Sequence, residues 1–310
     1  MRSRPEIKKG WRRRQPYVAQ GKTNMIRILA VAAFALPMAA QAQETLPLAE
    51  LLSNTHIHGI AEGPSGHESV TLATHHGIFT IDLSAQTARL MGSSRDDFMG
   101  FSQVPGGPGK AFASGHPASG GNLGVIRTDD GGASWLPVSE GIGGPVDFHN
   151  MEVSRADATV IYGIGHDGAV QRSTDSGATW AITGTAPEKL IDVDTSARDP
   201  NRIFAATEGG LFVSADAGVT WQSLLPTAAP VSTVDMGADG KLRAVQLGRG
   251  LIELDEATGA VTLVTAELPG GYLLYLAVTQ AEPLRLMALS GDGTLVVSDD
   301  GGARWRAAVD

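Results

Sequence analysis

The sequence predicts an all-β protein, a six-bladed β-propeller with four-stranded blades, and three observations predict it. First, the spacing Ser/Thr-x-Asp-x-Gly-x-Ser/Thr-Trp occurs four times, opening at Thr128, Ser173, Ser214 and Ser298, which are 45, 41 and 84 residues apart; 84 is two steps of 42. A fixed period of this length marks one supersecondary unit repeated along the chain. Second, from residue 54 onward short runs rich in Val, Ile, Leu and Ala alternate with Gly, Pro, Asp and Asn turns, as four-stranded units do. Third, the chain of 310 residues has 39 glycines and no cysteine, and four of its five Trp belong to the repeat, so the aromatic payload is committed to the scaffold.

Each repeat has a physical reading. The Asp (Asp130, Asp175, Asp216, Asp300) accepts backbone N–H groups inside its own turn. The Gly supplies a backbone conformation with positive φ, and the Ser or Thr hydroxyl adds a local bond. The Trp (Trp135, Trp180, Trp221, Trp305) opens the next strand and buries a large ring. In the last copy Arg304 stands where the hydroxyl is expected. Asp82-Leu83-Ser84 and Asp255-Glu256-Ala257-Thr258-Gly259 read as worn copies. On these residues the chain resembles the Asp-box, or BNR-repeat, propellers of the sialidase-like and sortilin-like kind. The box is a structural staple, so the resemblance implies a fold more strongly than a function.

The six units are expected to begin their first strands at Thr55, Phe98, Phe148, Leu190, Val231 and Tyr272. Radial repetition of this kind leaves only short sheet edges. The last unit holds all four of its own strands, so the ring is expected to close by contacts between the first and last blades.

Ahead of the repeats lies a different kind of sequence. Residues 1–27 hold nine Lys/Arg and one acid, which leaves 15 basic and 32 acidic residues behind them, a net of −17. A domain this acidic is expected to repel nucleic acid and anionic lipid. Arg27, the apolar run Ile28–Leu36 and Ala40-Gln41-Ala42 read as a secretory signal peptide over residues 25–42, and the run is too short to span a bilayer. Residues 1–24 read as a basic extension upstream of a start at Met25, with Arg12-Arg13-Arg14 leaving a twin-arginine signal as the alternative. Residues 43–53 are expected as linker and residues 54–310 as the propeller. The protein is thus expected to be periplasmic or extracellular and monomeric, with no membrane span after cleavage.

In a propeller the first strand of each blade lines the central channel, and the third-to-fourth strand turns mark one face. The starts of first strands and the ends of second strands mark the other. His56, His58, His75, His76, His116, His149 and His166 all map to this second face, on the first three units, and only His67 does not. Asp97, Met99 and Asp147 fall beside them. The stretches Thr55-His56-Ile57-His58-Gly59, Thr74-His75-His76-Gly77 and Asp147-Phe148-His149 resemble an exported bacterial group of Asp-box proteins described as glycosyl-hydrolase-like, over roughly residues 50–225.

Imidazole with carboxylate or thioether suits Cu, Zn or Ni. A metal site is therefore expected from His56, His58, His76, His116 and His149, with His56 and His58 pointing the same way along a strand. Alternatively His75, His76, His116, His149 and Met99 bind a small molecule or glycan, or the histidines merely line a wet channel. His166-Asp167-Gly168 reads as a turn.

An enzyme reading stays open beside the binding one. Asp97 and Asp147 are the candidate catalytic residues, and Asp192, Asp194, Asp235 and Glu208 are further carboxylates for a glycoside hydrolase-like pair. The resemblance does not extend to a sialidase site. Only Arg95 and Arg249 fit the substrate-carboxylate clamp, Tyr272 lacks a Glu partner, and no Arg-Ile-Pro motif is present. Absence of cysteine excludes thiolate metal sites and disulfides, and no nucleophile elbow or phosphate-binding loop occurs.

Overall fold

The structure, a computed structural model, describes residues 45–308 other than 188 and 281. The extension and the signal-peptide segment read at residues 1–42 lie outside the described residues. Among the described residues, twenty-four of the twenty-five strands form six antiparallel four-stranded blades in which each strand pairs with its sequence neighbour. The architecture is an all-β six-bladed propeller. The innermost strands are Ile57–Gly63, Asp97–Gln103, Asn150–Val153, Leu190–Thr195, Val231–Met236 and Leu273–Val278, close to the expected starts. Among the described residues no helix is long and apolar enough to cross a membrane.

The stretch expected as linker is instead structured. Thr45–Pro47 adds a fifth strand to blade one by pairing with Thr87–Leu90, and this covers an edge that would otherwise be open. A helix, Leu48–Asn54, follows. Its Leu48 and Leu51 are buried against Leu72, Phe79 and Ile81 of blade one and against Met287, Leu295 and Val297 of blade six. That burial is the physical reason the segment is ordered. It also joins the two ends of the ring. Two hydrogen bonds add to the seam: Gln280 N–H donates to Glu62 Oε2 (2.9 Å) and Gln86 Nε2 donates to the Ala308 carbonyl (3.3 Å). The ring therefore closes by contacts between the first and last blades, not by a shared strand.

The apolar core is divided into layers between neighbouring blades. The repeat tryptophans enter these layers. Trp135 packs with Ala73 and Ile78 of the preceding blade, and Trp180 with Phe112 and Val125. Their rings lie 4.9 Å from Phe98 and 5.2 Å from Phe148.

The repeated turn has the same hydrogen bonds at each full copy. In the first, Asp130 Oδ1 accepts from Thr128 Oγ1 (2.8 Å) and Ser134 N–H (2.9 Å), Oδ2 accepts from Ser134 Oγ (2.6 Å), and Gly132 N–H donates to Thr128 Oγ1 (2.9 Å). In the last copy Arg304 Nε donates to Asp300 Oδ2 (2.9 Å) in place of the missing hydroxyl. Gly302 has φ +96°, and a Cβ there would lie 2.2 Å from Leu251, so space and backbone both demand glycine. The worn copies keep the acceptor: Asp82 Oδ1 takes Ser84 N–H and Ala85 N–H, and Asp255 Oδ1 takes Thr258 N–H.

Candidate functional site

The histidine-bearing face is shaped by irregularities at the starts of the innermost strands. Pairing shifts register between Ile57 and Gly59, Phe98 and Gly100, Leu190 and Asp192, and Leu273 and Tyr275. In blades one, two, four and six the bulged residues are His58, Met99, Ile191 and Leu274, and blade five has a shift of its own between Val231 and Val234. A bulge re-aims its side chain relative to the sheet, and here it does so around one end of a central cavity of about 1210 Å³ lined by His58, Met99, His149 and His166. Ile191 and Leu274 are exposed, so the mouth has an imidazole side on blades one to three and an apolar side on blades four to six.

The imidazoles gather on two aspartates. Asp97 pairs with His116 across the sheet. A Cβ on Gly115 would lie 2.0 Å from the Asp97 carbonyl, so only glycine allows this approach. The Asp97 carboxylate faces blade one: Oδ2 is 2.6 Å from His75 Nδ1 and Oδ1 is 3.4 Å from His58 Nε2. Asp147 does the same one blade further on, with Oδ2 2.9 Å from His149 Nε2 and 3.2 Å from His116 Nε2. The His149 and His166 rings are 3.7 Å apart. Three buried atoms in this region, His58 Nε2, Asp97 Oδ1 and Asp147 Oδ1, make no hydrogen bond among the described residues. Buried polar atoms are normally hydrogen-bonded; His58 Nε2 and Asp97 Oδ1 only face each other at 3.4 Å, and Asp147 Oδ1 meets nothing at hydrogen-bonding distance among the described residues.

Two sets of ligand atoms lie within 4.8 Å of one another: His58, His75 and Asp97, and Asp147, His149 and His166. His56, expected to share an ion with His58, is outside both. The bulge at His58 breaks the two-residue alternation that would have aligned them, and His56 contacts the His75 ring instead (5.1 Å). His76 is exposed and its ring is 6.4 Å from His75. His166 does sit in a turn, yet that turn carries its ring into the second set; a turn reading alone missed it.

Burial pushes the His58 pKa down to about 4, with Asp97 opposing and His75, His56 and His149 adding to the fall. His58 is therefore neutral at pH 7 with a lone pair available. His116 is shifted upward, first by its bond to the Gly121 carbonyl (3.0 Å), against burial, and then by Asp147 and Asp97.

Deeper in the cavity the wall is acidic. Arg155 donates from Nε to Asp194 Oδ1 (3.2 Å) and from Nη2 to Asp194 Oδ2 (3.2 Å) and Asp235 Oδ1. Burial disfavours its cation, but Asp194, Asp235 and Glu152 outweigh that and raise its pKa. Burial raises Glu152 well above the usual carboxylate range, and Asp194 adds to it. Burial also raises Asp192 to about 6, although Val234 N–H, Thr233 Oγ1 and Val193 N–H all favour its anion. Glu152 and Arg155 carried no motif and were missed from sequence; their only signal is their place in and just after the third innermost strand.

Other expected residues fall elsewhere. Glu208 forms an exposed pair with Lys189 (3.0 Å). Tyr272 packs on Gly291, where a Cβ would lie 2.4 Å from its ring. It is Tyr275 that reaches the cavity wall, with its hydroxyl pushed up to about 12 by burial and Asp192.

No protein-family model and no curated protein matches this sequence. Solved structures do match it in fold. A GH74 xyloglucanase from Xanthomonas campestris is 19% identical with a TM-score of 0.55, covering 86% of this chain and 47% of that one. A GH74 enzyme from Niastella koreensis is 19% identical with a TM-score of 0.56, covering 81% and 37%. The chain thus spans less than half the length of these two enzymes. A structure of YCF48 bound to D1 peptide is 17% identical with a TM-score of 0.50, covering 86% and 85%. What this chain shares with the GH74 and YCF48 structures is the β-propeller fold.

Proposed function

We propose that this chain is an exported Asp-box propeller that binds a transition-metal ion, Zn²⁺ or Cu²⁺, at the imidazole side of its channel mouth. The carrying observation is the set His58, His75 and Asp97, whose ligand atoms lie within 4.8 Å of one another while His58 Nε2 and Asp97 Oδ1 are buried without hydrogen-bond partners. Two imidazoles and a carboxylate leave a fourth tetrahedral position open to water or a ligand, as in zinc sites of the His₂-carboxylate type. The net negative charge of the chain favours cations. The test is metal content of the purified chain after loading with Zn²⁺ or Cu²⁺ and desalting. Retained metal that disappears in a His58→Ala/His75→Ala double variant supports the reading. A wild-type chain that elutes free of metal defeats it.

A second reading, a glycoside hydrolase-like activity, rests on a different observation. Glu152 lines the cavity together with Asp194 and Asp235, and burial raises both Glu152 and Asp235 well above the usual carboxylate range; carboxyl groups clustered and perturbed in this way are the raw material of acid–base hydrolysis. Glycan turnover abolished by Glu152→Gln in metal-free protein would favour this reading over the first.

A further inference from the structure

We infer that the mouth holds two ions, not one, with the second on Asp147, His149 and His166. This rests on the metal reading above and extends it to a separate set of ligands.

The two aspartates are placed on one plan, although the second set takes its third ligand from His166 and not from His116. Each aspartate lies at the start of a blade and meets an imidazole from the end of the preceding blade's second strand: His75, after Gly66–Thr74, meets Asp97, and His116, ending Ala111–His116, meets Asp147. Each aspartate also meets an imidazole on an innermost strand or just before one, His58 for Asp97 and His149 for Asp147. Each keeps one buried carboxylate oxygen, Oδ1, without a hydrogen bond, that of Asp97 facing His58 Nε2 at 3.4 Å. The inner-strand acids of blades four and five make no such imidazole contacts and instead take backbone N–H groups of the next blade. The repetition is thus confined to the mouth's imidazole side.

Ligand chemistry is the same in both sets. Asp147, His149 and His166 offer one oxygen and two nitrogens within 4.8 Å, which suits a borderline divalent ion such as Zn²⁺, Cu²⁺ or Ni²⁺ and not Ca²⁺ or Mg²⁺. The His149 and His166 rings are in contact, 3.7 Å between centroids, and one nitrogen of each lies within 4.8 Å of the other and of an Asp147 oxygen. His116 lies between the sets. Its Nδ1 is held by the Gly121 carbonyl and its Nε2 faces Asp147. Two ions so placed would share the open side of the mouth above the acidic wall.

The experiment is zinc stoichiometry on the full chain, by elemental analysis after Zn²⁺ loading and desalting. It compares wild type with His58→Ala/His75→Ala and with His149→Ala/His166→Ala. Expected is about two ions in wild type and about one in each double variant, since each set supplies three protein ligands of its own. Glutamine replacements at the same positions, with circular dichroism as a control, separate ligand loss from misfolding. One ion in wild type, lost only with His58 and His75, overturns the second site and leaves the first standing. One ion lost in either variant overturns it too, because a single ion is then shared. No ion at all overturns both. As a second readout, Cu²⁺-loaded wild type should show dipolar broadening in its electron paramagnetic resonance spectrum, which each double variant relieves; an unbroadened wild-type spectrum counts against the pair.

Discussion

Asp97 and Asp147 on one side of the ring lie at or just before the starts of inner strands, Asp192, Asp194 and Asp235 on the other lie within them, and their partners differ in kind. On blades four and five the carboxylates reach into the next blade. Asp192 Oδ2 accepts from Thr233 Oγ1 and Val234 N–H, both at 2.9 Å, Asp194 Oδ2 accepts Met236 N–H, and Asp235 Oδ2 accepts Val278 N–H. Both Asp194 oxygens and both Asp235 oxygens are engaged, with Arg155 completing the set. On blades one to three the carboxylates meet imidazoles and each retains a buried oxygen with no hydrogen-bond partner. A satisfied acid that stitches backbone to backbone is part of the scaffold. An unsatisfied acid that meets titratable side chains is poised for something else.

The sharpest way to break that comparison is to remove one aspartate from each side. Asp194→Ala takes from the buried Arg155 one of its two main partners, and breaking a buried pair in this way costs about 3–5 kcal/mol. Its urea midpoint should fall steeply while metal retention per folded chain is unchanged. Asp97→Ala should do the reverse, losing metal while the metal-free protein loses about 1 kcal/mol or less, as for a modest hydrogen bond. Equal destabilisation by the two would make Asp97 another stitch.

A smaller effect separates the acids by pH. Asp192 has its folded pKa raised to about 6, above an unfolded value of about 3.9. The native state therefore binds more protons between these values, and stability falls as pH rises from about 4 to about 6. Asp192→Asn should flatten that stretch of the urea-midpoint profile relative to wild type; an unaltered slope would show that Asp192 titrates normally.

The smallest effect belongs to the exposed turns. Hydrogen bonds from Thr220 Oγ1, Thr220 N–H and Ser214 Oγ hold Asp216 down at about 2. Its contribution is present above about pH 4 and is lost as pH falls through 4 toward 2. Asp216→Asn should lower the melting temperature slightly at pH 7 and lose that difference at pH 2. A variant that melts with wild type at both pH values would remove the turn from the stability account.

Much of this was legible before any coordinates. The four Asp-Gly-Trp turns announce the blade count because their hydrogen bonds are local, so spacing alone carries them. The gathering of His58, His75, His116 and His149 at one face follows from knowing which ends of which strands lie there. The pairings within that gathering were not legible. Bulges at His58 and Met99 break the two-residue alternation on which the His56–His58 pairing relied, and nothing in Ile57-His58-Gly59 announces a bulge. His166 was hidden because a turn residue's side chain can point anywhere. Glu152 and Arg155 were hidden because a central channel draws on all six blades, and periodicity within one strand does not reveal what faces it from another. The helix at Leu48–Asn54 went unread for a related reason: Leu48 and Leu51 bury their side chains against residues more than 230 positions away.

The bulges at the mouth have one more consequence. A bulged residue stands outside the ladder's two-sided alternation, so its side chain can be exchanged without re-registering the strand behind it. His58, Met99, Ile191 and Leu274 are therefore interchangeable sockets on a rigid ring. The scaffold specifies where four side chains stand and leaves open what they are, so the recognition properties of this protein can be rewritten at those positions while its blades remain as they were.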